Sequence, residues 1–362
     1  MTTFHKPLRI TFVVAAIDNG GGCRVLAHYA QGLMRLGHSV LIVSPPPRPY
    51  GRLNTALNAL VPGRRSQPPN HFERLGVPVN TLERYGAIKV SDVPDADVII
   101  ATWWETAIWM KNFPKCKGRK LHFVQDYEIW TGKKDVVDAA LALPLQKITI
   151  SNWLANIIVT LEQPTPVIIP NGIDHEQFWS PARGRPVRPT VGLVYTATPR
   201  KGIDLAIEAI QKAQVKFPDL RVVVFGHARP SLPVNVANMV YIVSPDQDKL
   251  REIYSQCTAW LFPSREEGFG LPILEALACG TPVIAFPAGA APEILINGGG
   301  ALVETFTAGD MADEIIRYVQ KSEDDWRSVS LEAKNNSATF QWSKSIQNFE
   351  NCLYDSDKEE RL

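Results

Sequence analysis

Phe262-Pro263-Ser264-Arg265-Glu266-Glu267-Gly268-Phe269-Gly270-Leu271-Pro272-Ile273-Leu274-Glu275-Ala276-Leu277-Ala278-Cys279-Gly280-Thr281-Pro282-Val283 passes from a strand through a glycine-bearing loop into a helix and on to another strand. Ligands of parallel α/β sheets bind in the loops that follow the strands, so this stretch is where chemistry is expected. Gly268 and Gly270 let the backbone approach a ligand, and the N–H groups opening the next helix point at whatever sits there. Such a site suits a diphosphate. Glu275 lies one turn inside the helix, where its carboxylate can accept two hydrogen bonds from a cis-diol such as a ribose, and Glu267 can do the same for sugar hydroxyls. Taken by themselves, Glu266 and Glu267 read equally well as surface charges and Glu275 as a solvated helix position.

The same alternation extends in both directions. Val191–Tyr195, Arg221–Phe225, Val240–Val243, Ala259–Phe262 and Val283–Phe286 form one series of short apolar runs separated by helical sequence. Leu8–Ile17, Ser39–Ser44, Asp97–Thr102, Lys120–Val124, Lys147–Ile150 and Val167–Ile169 form an earlier one. After the first strand, Val25, Leu26, Tyr29, Leu33 and Leu36 recur at helical spacing until Gly37 stops the helix. The predicted fold class is α/β, with two Rossmann-like β/α/β lobes facing each other across a cleft. The predicted boundaries are an N-terminal Rossmann-like domain over 1–172, a Pro-, Gly- and Arg-rich linker over 173–189 and a C-terminal Rossmann-like domain over 190–340. Residues 341–362 then form a helix and charged tail packing back toward the N-terminal domain. Between Pro45 and Asn70 repeated prolines forbid a long regular element. This loop's Arg48, Arg52, Arg64 and Arg65, with apolar Leu57–Val61, fit an acceptor or a bilayer face as well as a plain surface loop.

The chain has 362 residues, 45% hydrophobic and 21% charged, which excludes a disordered or fibrous class and suits two ordinary cores. No apolar run approaches the roughly 20 residues of a membrane span, and Met1–Arg9 lacks a signal-like apolar stretch, so a cytoplasmic protein is expected. The five cysteines are odd in number and scattered, without a Cys-x-x-Cys pair, and are expected as buried free thiols. Up to Gly172 there are 19 Lys and Arg against 12 Asp and Glu, and beyond it 19 against 25. A basic first half fits an anionic acceptor or the inner face of an anionic membrane, and equally a spread of solvated charge. No nucleic-acid partner is expected. His, Asp and Glu show no metal-ligand spacing. Asp95-Ala96-Asp97 reads as a strand-flanking loop and Asp246-Gln247-Asp248 as capping, so neither a divalent metal nor a cofactor is expected. The triple glycine Gly20–Gly22 follows a strand and opens a helix, placing backbone N–H groups for a phosphate or an acceptor oxygen. It is not Gly-x-Gly-x-x-Gly, and the next strand ends in Ser44-Pro45-Pro46 without an acidic residue, which disfavours a dehydrogenase.

Glu267 and Glu275 fit the Glu-x7-Glu motif of glycosyltransferase family 4, the retaining enzymes of the GT-B architecture, and the surrounding Glu-Gly-Phe-Gly-Leu and Ala-x-Gly-Thr-Pro-Val are similar to that family's sequence. Ile169-Pro170-Asn171-Gly172-Ile173-Asp174, Ser151-Asn152-Trp153, Arg200-Lys201-Gly202-Ile203-Asp204 and the closing helix at Trp342 also resemble it, so the likeness covers most of the chain. The resemblance implies that Glu267 contacts the donor sugar and Glu275 the nucleotide ribose. It gives the amides of Gly268, Phe269, Gly270 and Leu271 to sugar or phosphate, with Lys201 and Arg200 neutralising the departing diphosphate. Gly226, Val243 and Ser244 would meet the base, and Gly21 and Gly22 would join the donor site.

Two positions depart from the family pattern. Thr196 stands where an arginine is frequent, and Gln125-Asp126-Tyr127-Glu128 replaces a common His-Asp pair. The latter resembles the subgroup that includes bacterial rhamnosyltransferases, which implies a deoxysugar donor. Asp126 is then expected in the catalytic group and Gln125, Tyr127 and Glu128 at the acceptor, with polar loop capping the alternative for Asp126 and Glu128. The expected activity is transfer of a hexose or deoxyhexose from a nucleotide diphosphate sugar to a hydroxyl of a glycan, lipid-linked or small-molecule acceptor, with retention of configuration. A non-catalytic sugar-nucleotide-binding partner of another transferase and a GT-B sugar-nucleotide epimerase are the rival readings.

Overall fold

The structure, a computed structural model, describes residues 6–47, 69–227 and 236–354; the arginine loop 48–68, most of the loop after Gly226 and the tail Asp355–Leu362 lie outside the described residues. The chain divides into two compact units. The first takes in residues up to Thr149, Leu154–Ile169 and the segment from Ser345, and the second Ile150–Trp153 and Pro170–Lys344.

The first unit is built on seven strands, β1 (Arg9–Val13), β2 (Ser39–Ser44), β3 (Val79–Thr81), β4 (Val98–Ala101), β5 (Arg119–Val124), β6 (Gln146–Thr149) and β7 (Val167–Ile168). They run parallel in the order β3-β2-β1-β4-β5-β6-β7. The second holds six, β8 (Thr190–Val194), β9 (Arg221–Gly226), β10 (Met239–Val243), β11 (Ala259–Phe262), β12 (Val283–Ala285) and β13 (Gly300–Leu302), parallel in the order β10-β9-β8-β11-β12-β13. In both sheets the winding reverses once, between β1 and β4 and between β8 and β11. Ligands of doubly wound folds sit outside the strand ends at such a reversal. The central strands are buried on both faces, as the all-buried β4 and β11 show, which is why they read as continuous apolar runs instead of alternating ones.

The first helix, Gly21–Arg35, buries Val25, Leu26, Tyr29 and Leu33. It closes with His38 N–H on the Leu33 carbonyl (3.1 Å) and Gly37 N–H on that of Met34 (3.0 Å), with Gly37 at φ 95°. The closing helix Trp342–Cys352 completes the first unit's core. Phe349 is fully buried against Tyr29 (4.7 Å between centroids) and Phe123 (5.2 Å). Ile346 lies so near Gly32 that a Cβ there would come within 2.2 Å of its Cδ1. Two polar links fix the helix: His38 Nε2 donates to Glu350 Oε1 at 2.9 Å while its Nδ1 accepts from the Leu8 N–H, and Arg119 donates to the carbonyls of Cys352 and Leu353.

Residues 173–189, expected as a linker, are packed into the second unit. Ile173 and Phe178 are buried, Ser180 donates to the Cys279 carbonyl (2.7 Å), and Arg183 donates to Thr281 Oγ1 (2.8 Å) while lying over the Trp326 ring. Proline and glycine stop regular structure here without freeing the chain, because arginine donors reach neighbouring acceptors. Burial pulls the Arg183 guanidinium down to about 10. Four of the five cysteines are buried free thiols as expected, whereas Cys116 is exposed.

Within the first sheet His122 on β5 is 1% exposed, and burial, with Lys147 on the next strand adding repulsion, pulls its imidazole down to about 3. An unfolded histidine takes up a proton near pH 6.5 that the folded one refuses. Stability therefore falls as pH drops from 6.5 toward 3, by up to about 1.4 kcal/mol per pH unit from this residue. Between pH 7 and pH 5 the wild type should lose about 2 kcal/mol more than His122→Leu in urea denaturation. Equal losses would locate the acid sensitivity elsewhere.

Candidate functional site

At the reversal of the second sheet, the loops after β8 and β11 meet backbone to backbone. The first makes a single 3-10 turn, Pro199–Lys201, then turns at Gly202 (φ 63°) into the helix Ile203–Lys216. A Cβ on Gly202 would lie 1.9 Å from the Pro263 carbonyl oxygen, so only glycine allows this approach. The Arg200 carbonyl accepts from the N–H groups of Arg265 (2.8 Å) and Glu266 (3.3 Å). Arg265 in turn donates to the Pro199 carbonyl and forks onto Asp204 (2.8 and 2.7 Å), which holds that carboxyl below the usual range. These bonds bring Lys201 Nζ onto Glu267 Oε2, where the Ser264 hydroxyl also donates at 3.3 Å. Lys201 and Glu267 keep 22% and 19% of their side-chain surface, enough for a ligand to reach them. Behind Glu267, Gly289 (φ 57°) leaves room for its carbonyl, which a Cβ would meet at 2.4 Å.

Glu275 is 3% exposed on the helix Leu271–Ala278, and fully buried Tyr254 donates to its Oε2. That excludes the solvated-helix reading. The N–H groups of Gly268, Phe269, Gly270 and Leu271 donate to no backbone acceptor among the described residues. The carbonyls there are occupied instead: Ser151 donates to that of Gly268 (3.0 Å) and the Ala290 N–H to that of Phe269 (3.3 Å). The loop thus presents donors and hides acceptors, as an anion site requires. Pro272 at the second helical position removes one N–H from that turn.

On the neighbouring strands, Gly226 and Val243 are register partners at the ends of β9 and β10, and the Ser244 N–H donates to the Gly226 carbonyl at 2.8 Å. Tyr195 and Tyr241 crowd Gly226, where a Cβ would lie 2.5 Å from the Tyr241 hydroxyl. The expected donor residues of this unit therefore line the C-terminal edge of four adjacent strands, β10, β9, β8 and β11. Four contributors escaped the sequence reading. Tyr254 and Gly289 lie outside the motif they serve and give no local signal, and Ser264, three residues before Glu267, reads as an ordinary loop serine. Glu293, in Pro292-Glu293 after a glycine-bearing loop, accepts the Asn152 N–H at 2.7 Å, and burial raises its carboxyl above the usual range against the pull of the Asn152 and Trp153 amides.

In the first unit, Gly21 and Gly22 open the helix after β1, and a Cβ on Gly22 would come to 4.0 Å from Gln125 Nε2. The structure therefore brings the glycine turn and Gln125 together, and Gln125 Oε1 is buried without a hydrogen-bond partner among the described residues. Asp126 Oδ1 accepts from the Tyr127 N–H, and the Tyr127 hydroxyl donates to Asp138 (2.6 Å). Glu128 is 4% exposed, and its Oε2 accepts the N–H of Trp104 at 2.8 Å, so this carboxylate, expected at the acceptor, serves the helix Trp104–Met110 that begins there. Thr196 hydrogen-bonds with Thr198 (3.2 Å).

Residues 179–334, which hold Lys201, Glu267, Tyr254 and Glu275, match the family described as glycosyl transferases group 1. A D-inositol 3-phosphate glycosyltransferase of Mycolicibacterium vanbaalenii is 28% identical over 250 residues, 59% of this chain and 53% of that protein. The chain spans about half the length of the curated relatives it matches. Sucrose-phosphate synthase from Thermosynechococcus elongatus superposes with a TM-score of 0.73 at 18% identity, over 97% of this chain and 99% of the other. Anabaena HepE, crystallised with UDP and glucose, gives 0.74 at 16%, over 96% and 99%. The fold of the whole chain is thus GT-B, two Rossmann-like lobes.

Proposed function

We propose that this protein transfers a hexosyl or deoxyhexosyl residue from a nucleotide diphosphate sugar to a hydroxyl acceptor, with retention of anomeric configuration. The observation that carries the reading is the Lys201–Glu267 pair at the reversal of the second sheet, flanked by unengaged loop amides and by Glu275 held on Tyr254. HepE, of the same fold, is crystallised with UDP-glucose, which supports a nucleotide diphosphate sugar here. In this reading Glu275 takes the ribose hydroxyls and Glu267 the donor sugar, while Lys201, Arg200 and the amides of residues 268–271 stabilise the departing diphosphate. Gly226, Val243 and Ser244 flank the base. The bond from the anomeric carbon to the phosphate oxygen breaks as the bond to the acceptor oxygen forms on the same face, and the acceptor proton passes to the departing phosphate. The proposed steps draw their charge stabilisation from protein groups, without a divalent ion. Asp126, Gln125 and Tyr127, with the Gly21–Gly22 turn, are assigned to the reacting hydroxyls. No helix among the described residues is long and apolar enough to cross a membrane. We infer a cytoplasmic protein whose basic first half meets an anionic acceptor or membrane face.

A panel of UDP, GDP, dTDP and ADP sugars tests the donor class. One of them should raise Tm, because a ligand that binds only the folded state stabilises it, by about 2.7 kcal/mol at a hundredfold excess over Kd. Nucleoside diphosphate should then be released when a hydroxyl acceptor is added. Stabilisation without release under any acceptor would favour the non-catalytic binding partner, and no stabilisation by any sugar nucleotide would remove the proposal.

A further inference from the structure

The loops after β4 and β5, at the ligand-binding edge of the first sheet, carry an indole corner to which the donor chemistry gives no task. Trp103 precedes the helix Trp104–Met110, and Trp130 lies in the turn after β5. Their ring centroids are 5.7 Å apart with the planes at 85°, and Trp130 is 49% exposed. A single exposed apolar side chain is ordinary. Here, however, a dedicated set of polar bonds fixes the corner from behind. The buried Glu128 carboxylate accepts the Trp104 N–H, and the Thr131 hydroxyl donates to the Glu128 carbonyl (2.8 Å) while accepting from Trp104 Nε1 (3.0 Å). Thr106 Oγ1 accepts from the N–H groups of Thr102 and Trp103 and donates to the Trp103 carbonyl (2.7 Å). Gly132 makes room for the Trp104 ring, which a Cβ would meet at 2.9 Å.

A rigid pair of perpendicular aromatic faces lowers the ordering cost of binding a rigid, partly apolar ring. The same loop begins with Gln125, whose buried Oε1 has no hydrogen-bond partner among the described residues and calls for a donor. A ligand that offers both C–H faces and O–H donors satisfies the two features together; a phosphate offers neither, and an acyl chain only the first. We propose that Trp103 and Trp130 form an acceptor subsite for a neutral pyranosyl residue, whose C–H face stacks on Trp130 while a hydroxyl donates to Gln125. The acceptor is then a glycan or glycoside and not a simple polyol. This rests on the glycosyl-transfer reading above.

The test uses the full chain, with Trp fluorescence titrated by neutral glucose, mannose, galactose and rhamnose oligosaccharides, and with steady-state transfer to those that bind. Trp130→Ala should raise the acceptor KM about tenfold or more while kcat, the donor KM and acceptor-independent donor hydrolysis stay put. Trp130→Tyr should recover most of the affinity, and Trp179→Ala, an exposed tryptophan of the second unit, should change nothing. An unchanged acceptor KM in Trp130→Ala, or transfer confined to acceptors without a pyranose ring, overturns the subsite and leaves glycosyl transfer intact. Fluorescence quenching by oligosaccharides that Trp130→Ala abolishes, in a protein that transfers nothing, upholds the subsite and removes the transferase reading instead. Absence of both quenching and pyranose transfer overturns the subsite.

Discussion

Glu267→Ala and Lys201→Ala should each lower kcat/KM by about 10² or more, as the loss of one electrostatic group at a reacting phosphate commonly does. The double variant should be little worse than either. The reason lies in the geometry: Lys201 Nζ and Glu267 Oε2 are bonded to each other, both side chains are about four-fifths covered, and Ser264 donates to the same carboxylate oxygen. Removing Glu267 leaves a partly desolvated ammonium without its partner and free to swing from the phosphate position, so the first substitution already disables the second group. Groups that act as a unit couple in a double-mutant cycle. Nucleoside diphosphate release measured across the four proteins reads this directly. If the two losses multiply, the residues act separately, and near-full activity in both single variants would take the proposed roles away.

The second large effect concerns backbone. Gly202→Ala should cost several kcal/mol in urea denaturation and most of the activity, whereas Gly37→Ala should cost about 1–2 kcal/mol, the strain of placing an alanine in left-handed backbone. Both glycines have positive φ, 63° and 95°. They differ in surroundings: among the described residues nothing lies within 4 Å of a Cβ on Gly37, whereas one on Gly202 would overlap the Pro263 carbonyl at 1.9 Å. That overlap would push the β11 loop away from Lys201 and open the Lys201–Glu267 contact. Equal, mild destabilisation of the two variants would mean that the loops are not wedged together at Gly202.

The residues that define the two sheets were legible because buried parallel strands write themselves as uninterrupted apolar runs. Ser39–Ser44 and Ala259–Phe262 are strands over those very residues, and most others differ by one or two positions. β3 and β13 were not foreseen. They are three-residue edge strands, partly exposed, with Asn80 and Thr81 in one and Gly300 in the other, and too little periodicity to register. The Pro- and Arg-rich stretch 173–189 misled for a related reason, since its anchoring comes from arginines reaching carbonyls far along the chain. At the site, the glycine loop with its two glutamates could be found because its residues are contiguous. What holds them, Tyr254 beneath Glu275 and Gly289 behind Glu267, depends on the fold bringing distant segments together. Local pattern also says nothing of which side chain a carboxylate will meet, and Glu128, equally polar on paper beside Asp126, is spent on a helix end.

The closing helix has a consequence for how the polypeptide is born. Tyr29 and Phe123 leave the ribosome well before Phe349, which covers them and is translated more than two hundred residues after Phe123. At about 5–20 residues per second, roughly ten to forty seconds separate the end of the first sheet from the arrival of its lid, an interval in which the second unit can already fold. During that time the nascent first unit displays an aromatic seam, and chaperone holding or premature termination acts on that half of the protein first.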